Sequence, residues 1–141
     1  MTEGKIDDRH WLKEMHTDYA ASTSVIGTGT DMSRFGQMLL NRGELEGVRI
    51  LSKESANKVL FGGRVAGELE QVASGEREVA LGYGAKTWYD GGVEIIGHGG
   101  GGPGFGLQYL VVPEKELVVV VLTNQTLAIS YDVAKMIVSV F

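Results

Sequence analysis

The sequence predicts an α+β fold, an antiparallel β-sheet with helices packed against it. Three observations predict it. Residues 31–60 carry apolar side chains at helical spacing, residues 81–123 switch to a period of two broken by turn residues, and residues 130–141 return to helical spacing. No internal repeat and no heptad stands out.

Residues 1–20 are of mixed charge, with Trp11, Leu12 and Met15 as a weak helical trio, and read as a lead-in. His10 and His16 stand six apart, which is no ligand spacing for one helix face, so both read as surface histidines. The domain proper is expected over residues 21–141, with a helical part over 21–60. Thr28 and Thr30 are candidate N-caps, and Asp31 falls in the first turn, where the helix dipole favours it. Met32, Phe35, Met38 and Leu39 form the apolar face, and Asn41-Arg42-Gly43 supplies a basic last turn and a glycine stop. Residues 44–51 read as a turn and an extended piece, and Ser52 caps a second helix over 53–60. Residues 61–80, polar and glycine-spaced over 62–78, read as a loop.

The sheet is expected over residues 81–123. Its strands are 81–89, 93–98, 105–112 and 117–123, with Gly91-Gly92 as a hairpin turn and Pro113-Glu114-Lys115-Glu116 as another. The glycines at 99–104 are expected to interrupt the second strand. Val118 to Leu122 is apolar without alternation, so the last strand should be covered on both faces. A C-terminal helix over 130–141 would bury Val133, Met136, Ile137 and Val140 on one side.

Composition narrows the function. The 141 residues suit one domain. Hydrophobic content of 43% and charged content of 22% are globular values. The longest apolar run is six residues, far short of the ~18 of a membrane helix. The start is polar and acidic, unlike a secretory signal, and leaves the compartment unknown. A net charge of −5 argues against a general nucleic-acid binder. With no cysteine there is no disulfide, no thiolate nucleophile and no zinc–thiolate site. No acidic pair has glycosidase or metal-site context, and neither metal nor cofactor is expected.

Glycine is the unusual number: 21 residues, about twice the ~7% that is ordinary. Seven of them fall from Gly97 to Gly106. Gly97-x-Gly99-x-x-Gly102 matches a dinucleotide fingerprint, but a strand pattern follows where that fingerprint needs a helix. His98-Gly99-Gly100-Gly101 spells an α/β-hydrolase oxyanion loop, but no G-x-S-x-G follows it. The stretch also reads as a tight inter-strand loop, with His98 a satisfied strand histidine. The remaining reading is a strand edge presenting backbone amides to an acyl group.

Here the order of segments matters. IGHGGGGPGFGLQYLVVPEKELVVVVLTNQ, preceded by GTGTDMSRFGQMLLNRGELEGVRILSKES, resembles the C-terminal part of the serine β-lactamase and penicillin-binding-protein superfamily, in particular class C β-lactamases and related D,D-peptidases and esterases. The resemblance covers roughly residues 20–141. It implies that His98 matches the Lys or His of the third family motif, lining the pocket and helping to position the nucleophile's proton network and a substrate carboxylate. Gly99 and Gly100 match the rest of that motif, Gly102 lines the same approach, and Gly101 matches the position whose N–H joins the nucleophile's own in the oxyanion hole. Such an amide contributes ~3–4 kcal/mol to a tetrahedral intermediate.

The family's nucleophile is a Ser in S-x-x-K, assisted by that Lys or by the Tyr of Y-x-N. None of the five Tyr here is followed by Asn two residues on. The one S-x-x-K, Ser55-Ala56-Asn57-Lys58, falls where the family has a remote helix. The expectation is therefore a C-terminal fragment of a serine hydrolase acting on β-lactams, D-Ala-D-Ala peptides or esters, inactive until an N-terminal half completes it. The alternatives are a non-catalytic interaction module of the same ancestry and an unrelated domain whose glycine loop binds an anion. In the complete family fold an N-terminal strand pairs with the strand matching 117–123. Without it that strand is an apolar edge, so self-association through it is expected, with no nucleic-acid or membrane partner.

Overall fold

Thr28 starts the first helix by a capping box. Its Oγ1 accepts from the Asp31 N–H at 3.2 Å, and the Asp31 carboxylate accepts from the Thr28 N–H at 2.8 Å. The Thr28 N–H and, after it, the Thr28 hydroxyl, which also donates to the carboxylate at 2.8 Å, hold the Asp31 carboxyl below its ordinary range. The computed structural model describes residues 27–61, 65–72, 75–81, 83–102, 104–125 and 127–141, and only the backbone at 61, 65–72, 75–81, 127 and 128. The lead-in over residues 1–20 and the segment 21–26 lie outside the described residues.

Helix α1 spans Gly29–Leu40. It ends in a Schellman arrangement, with Gly43 N–H on the Met38 carbonyl at 2.8 Å and Arg42 N–H on Leu39 at 2.9 Å. The left-handed position is taken by Arg42 itself, so the expected basic last turn is instead the residue that leaves the helix. Residues 44–51 hold a two-stranded hairpin, β1 (Glu44–Leu45) and β2 (Val48–Arg49), turning at Glu46-Gly47, both at positive φ. Arg34 ties this hairpin to α1 by a two-pronged ion pair with Glu46, one arm at 3.0 Å. Helix α2 spans Lys53–Phe61, capped as expected by Ser52, whose Oγ accepts from the Ser55 N–H at 3.0 Å.

Six strands follow as one antiparallel meander in chain order: β3 (Val65–Val72), β4 (Gly75–Leu81), β5 (Lys86–Asp90), β6 (Val93–Gly102), β7 (Phe105–Val112) and β8 (Leu117–Thr123). Three expectations are corrected here. The loop over 61–80 is a hairpin of β3 and β4, and the expected strand 81–89 is split between β4 and β5. The glycines do not interrupt β6, which stays in register with β7 through Gly102. Gly91 and Gly92, both at positive φ, make the expected two-residue turn between Asp90 and Val93.

Helices cover both faces of the sheet. One face packs Ile96, Tyr109 and Val111 against Met38 and Leu39 of α1 and Leu60 of α2. Gly36 lets α1 press onto β8, since a Cβ there would sit 2.5 Å from Val118 Cγ1. The other face packs Trp88, Ile95, Leu110, Val112 and Val119 against Tyr131, Ala134 and Val138 of helix α3 (Leu127–Val140). Val118 and Val120 point to the α1 side and Val119 and Val121 to the α3 side, so β8 is covered on both faces as its unbroken apolar run predicts. Helix α3 starts three residues earlier than expected, and of the four residues expected to face inward only Ile137 packs against the core. Tyr131, Ala134 and Val138 meet the sheet, whereas Val133, Met136 and Val140 are exposed.

Candidate functional site: the open half of strand β6

Strand β6 has two unlike halves. Val93 to Gly97 pair with β5 on one side, and Ile96 to Gly102 pair with β7 on the other. The β5 partnership stops at Lys86↔Gly97. From His98 to Gly102 the strand therefore has β7 on one side and, among the described residues, no strand on the other.

The register decides where each amide points. In an antiparallel strand the N–H and C=O of successive residues point alternately to the two sides, and the residues flanking a two-residue turn bond each other. Asp90 and Val93 flank such a turn, so the odd-numbered residues of β6 direct their polar groups toward the β5 side. Gly102 and Phe105 flank the next one, so the even-numbered residues face β7. The two turns give the same answer independently. Gly97 still meets Lys86, but Gly99 and Gly101, beyond the end of β5, direct N–H and C=O into the open side.

Side chains follow the same parity on the perpendicular axis. Ile96 is buried on the α1 face, so His98 lies on that face and is exposed, directly across from Tyr109. Gly99 and Gly101 take the α3 face and leave it bare. The lead into β5 turns away at this point. Tyr109 donates its hydroxyl to the Gly84 carbonyl at 3.1 Å, and Ala85 is buried in the α1-side core. That contact holds the segment before Lys86 over the α1 face. Burial pushes the Tyr109 phenol up to about 12, so it stays protonated and serves as a donor.

The structure thus brings His98, Gly99, Gly100, Gly101 and Gly102 onto one strand end, Gly101 and His98 being exposed. It places Ser55 elsewhere. Ser55 sits in the first turn of α2 and accepts from the Ser52 hydroxyl at 3.0 Å, while Lys58 pairs with Glu54 at 2.8 Å. The two ends of the S-x-x-K match are each engaged with other partners. Every described serine (33, 52, 55, 130 and 139) lies on a helix or its cap. Among the described residues no group of three or more His, Asp or Glu side chains is placed to hold a metal ion. Sequence reasoning missed Tyr109 and Gly84, because a hydrogen bond across 25 residues leaves no local pattern.

A six-stranded antiparallel sheet with helices on both faces, one strand ending in a run of glycines after a histidine, defines an α+β domain with a bare strand edge. The Beta-lactamase family model matches residues 2–135, and the chain belongs to that family, a serine-hydrolase lineage. Searches of curated proteins and of solved structures returned no match.

Proposed function

We propose that this chain supplies the acyl-holding strand edge of a β-lactamase-like serine hydrolase, whose serine and base come from another stretch of polypeptide. The substrate class is a β-lactam, a D-Ala-D-Ala peptide or an ester. The serine oxygen attacks the acyl carbon, its proton passes to the accompanying base, and the carbonyl oxygen becomes the oxyanion. Gly101 N–H donates to that oxygen. His98 lines the pocket, supporting the proton network and a substrate carboxylate. Gly99, Gly100 and Gly102 keep the approach free of side chains.

The observation that carries this reading is the outward parity of the Gly99 and Gly101 amides where β5 ends. Family membership supports the chemistry, and the engagement of Ser55 and Lys58 supports an external nucleophile. The test uses a fluorescent penicillin, read by intact mass. The chain alone is expected to take no label. Mixed with a polypeptide carrying S-x-x-K and Y-x-N from the same family, it is expected to support acylation of that partner's serine. Gly101→Pro, which removes the outward N–H, should slow that acylation by on the order of 10²–10³-fold. An adduct on Ser55 of the chain alone, or full activity of Gly101→Pro, overturns the proposal.

A further inference from the structure

A residue that the proposed chemistry does not use lies beside one that it does. Tyr109 is buried on the α1 face of β7, directly across from the exposed His98. His98 is one of the even-numbered residues that bond β7, so the two form a hydrogen-bonded pair with Cβ atoms ~5 Å apart on one face. The phenol reaches further. Its hydroxyl donates to the Gly84 carbonyl at 3.1 Å, and Gly84 comes two residues before β5, which lies across β6 from β7. The Gly84 segment stands over the α1 face, where a Cβ on Gly84 would meet Val59 of α2 at 3.6 Å. The Tyr109 ring therefore crosses above β6, a strand spacing of ~4.8 Å, at the level of His98.

Three contacts fix that ring. Gly84 holds its hydroxyl, Phe35 of α1 meets it edge-on with centroids 6.2 Å apart at 75°, and Val120 stands across from it on β8 in the same core. The imidazole has less to hold it. Along β6 its neighbours on the α1 face are Ile96, which is buried, and Gly100, which has no side chain. On its outer flank β5 has already ended. A side chain so placed turns about χ1 between staggered positions unless a neighbour occupies one side. We infer that Tyr109 is a positioning residue for His98: the pinned phenol closes the inner side to the imidazole and turns it toward the open side of β6, where Gly99 and Gly101 direct their amides. The catalytic value of this contact rests on the function proposed above, and the contact itself does not. Every group in it belongs to the described sheet and helices, so it stands equally when further polypeptide completes the site.

Nuclear magnetic resonance of the whole chain reads the rotamer. The χ1 couplings of His98 should report one rotamer in the wild type. Tyr109→Phe, which keeps the ring and loses its pin, should average them in part, and Tyr109→Leu, which removes the ring, should average them fully, with circular dichroism in the far ultraviolet unchanged. Acylation reads the consequence. In the mixture described above, Tyr109→Leu should lower the limiting rate of acylation by on the order of ten- to a hundredfold and leave the half-saturating penicillin concentration as it was. Combined with His98→Ala it should add nothing, because a residue that acts through another has no effect once that one is gone. Should Tyr109→Leu fail to fold, Tyr109→Phe carries both readings at smaller amplitude. Averaged couplings at His98 in the wild type, or couplings unchanged in a folded Tyr109→Leu, overturn the proposal. Additive losses in the double variant overturn it too. A mixture that takes no label at all overturns the function proposed above, and the couplings then decide the positioning alone.

Discussion

The two halves of β6 are nine peptide bonds end to end and do opposite work. From Val93 to Gly97 the strand pairs with β5, Ile96 and Gly97 pair with β7 as well, and Ile95 and Ile96 are buried on opposite faces. From His98 to Gly102 one flank is open and four of the five residues have no side chain. The first half anchors the second. A strand end with a free edge normally frays, but β7 holds this one in register through Gly102. Glycine here therefore serves access more than flexibility, because the backbone is already held.

The largest expected effect separates glycines that look alike in sequence. A Cβ at Gly97 would overlap the Tyr109 carbonyl oxygen, a backbone atom with little freedom to move. At Gly100 the nearest atom is Leu107 Cδ2 at 3.9 Å, an ordinary contact. Gly97→Ala should cost about 3 kcal/mol and Gly100→Ala less than ~0.5 kcal/mol, read from urea unfolding. Equal costs would erase the contrast between the halves.

The next effect tests the parity itself. Gly100 is assigned to β7, so Gly100→Pro removes a ladder bond and should cost about 2–3 kcal/mol. Gly101 is assigned to the open side, so Gly101→Pro should cost less than ~1 kcal/mol. A reversed order by the same measurement would mean that Gly101 is a β7 partner and that the open side receives the amides of His98 and Gly100 instead of Gly99 and Gly101.

Much of this was legible in the sequence, and the gaps have physical causes. Thr28, Asp31 and the spacing of Met32, Phe35, Met38 and Leu39 mark α1, because caps and periodicity are local signals. Gly91-Gly92 marks a turn for the same reason. The β3–β4 hairpin was hidden because residues 62–81 lack clear alternation, so no core face announces itself. The buried face of α3 was misread because that helix is apolar nearly all round: Tyr131, Ala134 and Val138 compete with Val133, Met136 and Val140, and only the sheet decides between them. The candidate site was legible as a glycine cluster after a histidine. Its open side was not, since that depends on where β5 stops.

Tyr109 holds Gly84 just ahead of β5, and its effect is the smallest and most specific. Tyr109→Phe loses the bond to the Gly84 carbonyl, which is exposed enough to take water instead, so the cost should be about 1 kcal/mol. The phenol adds a pH signature. Its folded value lies near 12 against 10.0 in the ordinary state, so the folded form holds the proton more tightly. The stabilisation is complete below pH 10.0 and is lost as pH rises toward 12. The advantage of wild type over Tyr109→Phe should therefore be flat through neutral pH and shrink across that window. If Tyr109 also holds the β5 lead off the His98 edge, Tyr109→Phe should change amide exchange at Gly99 and Gly101 while leaving Val93 to Ile96 as they were. A variant that exchanges like wild type at both glycines would show that the buried Ala85 alone keeps the edge open.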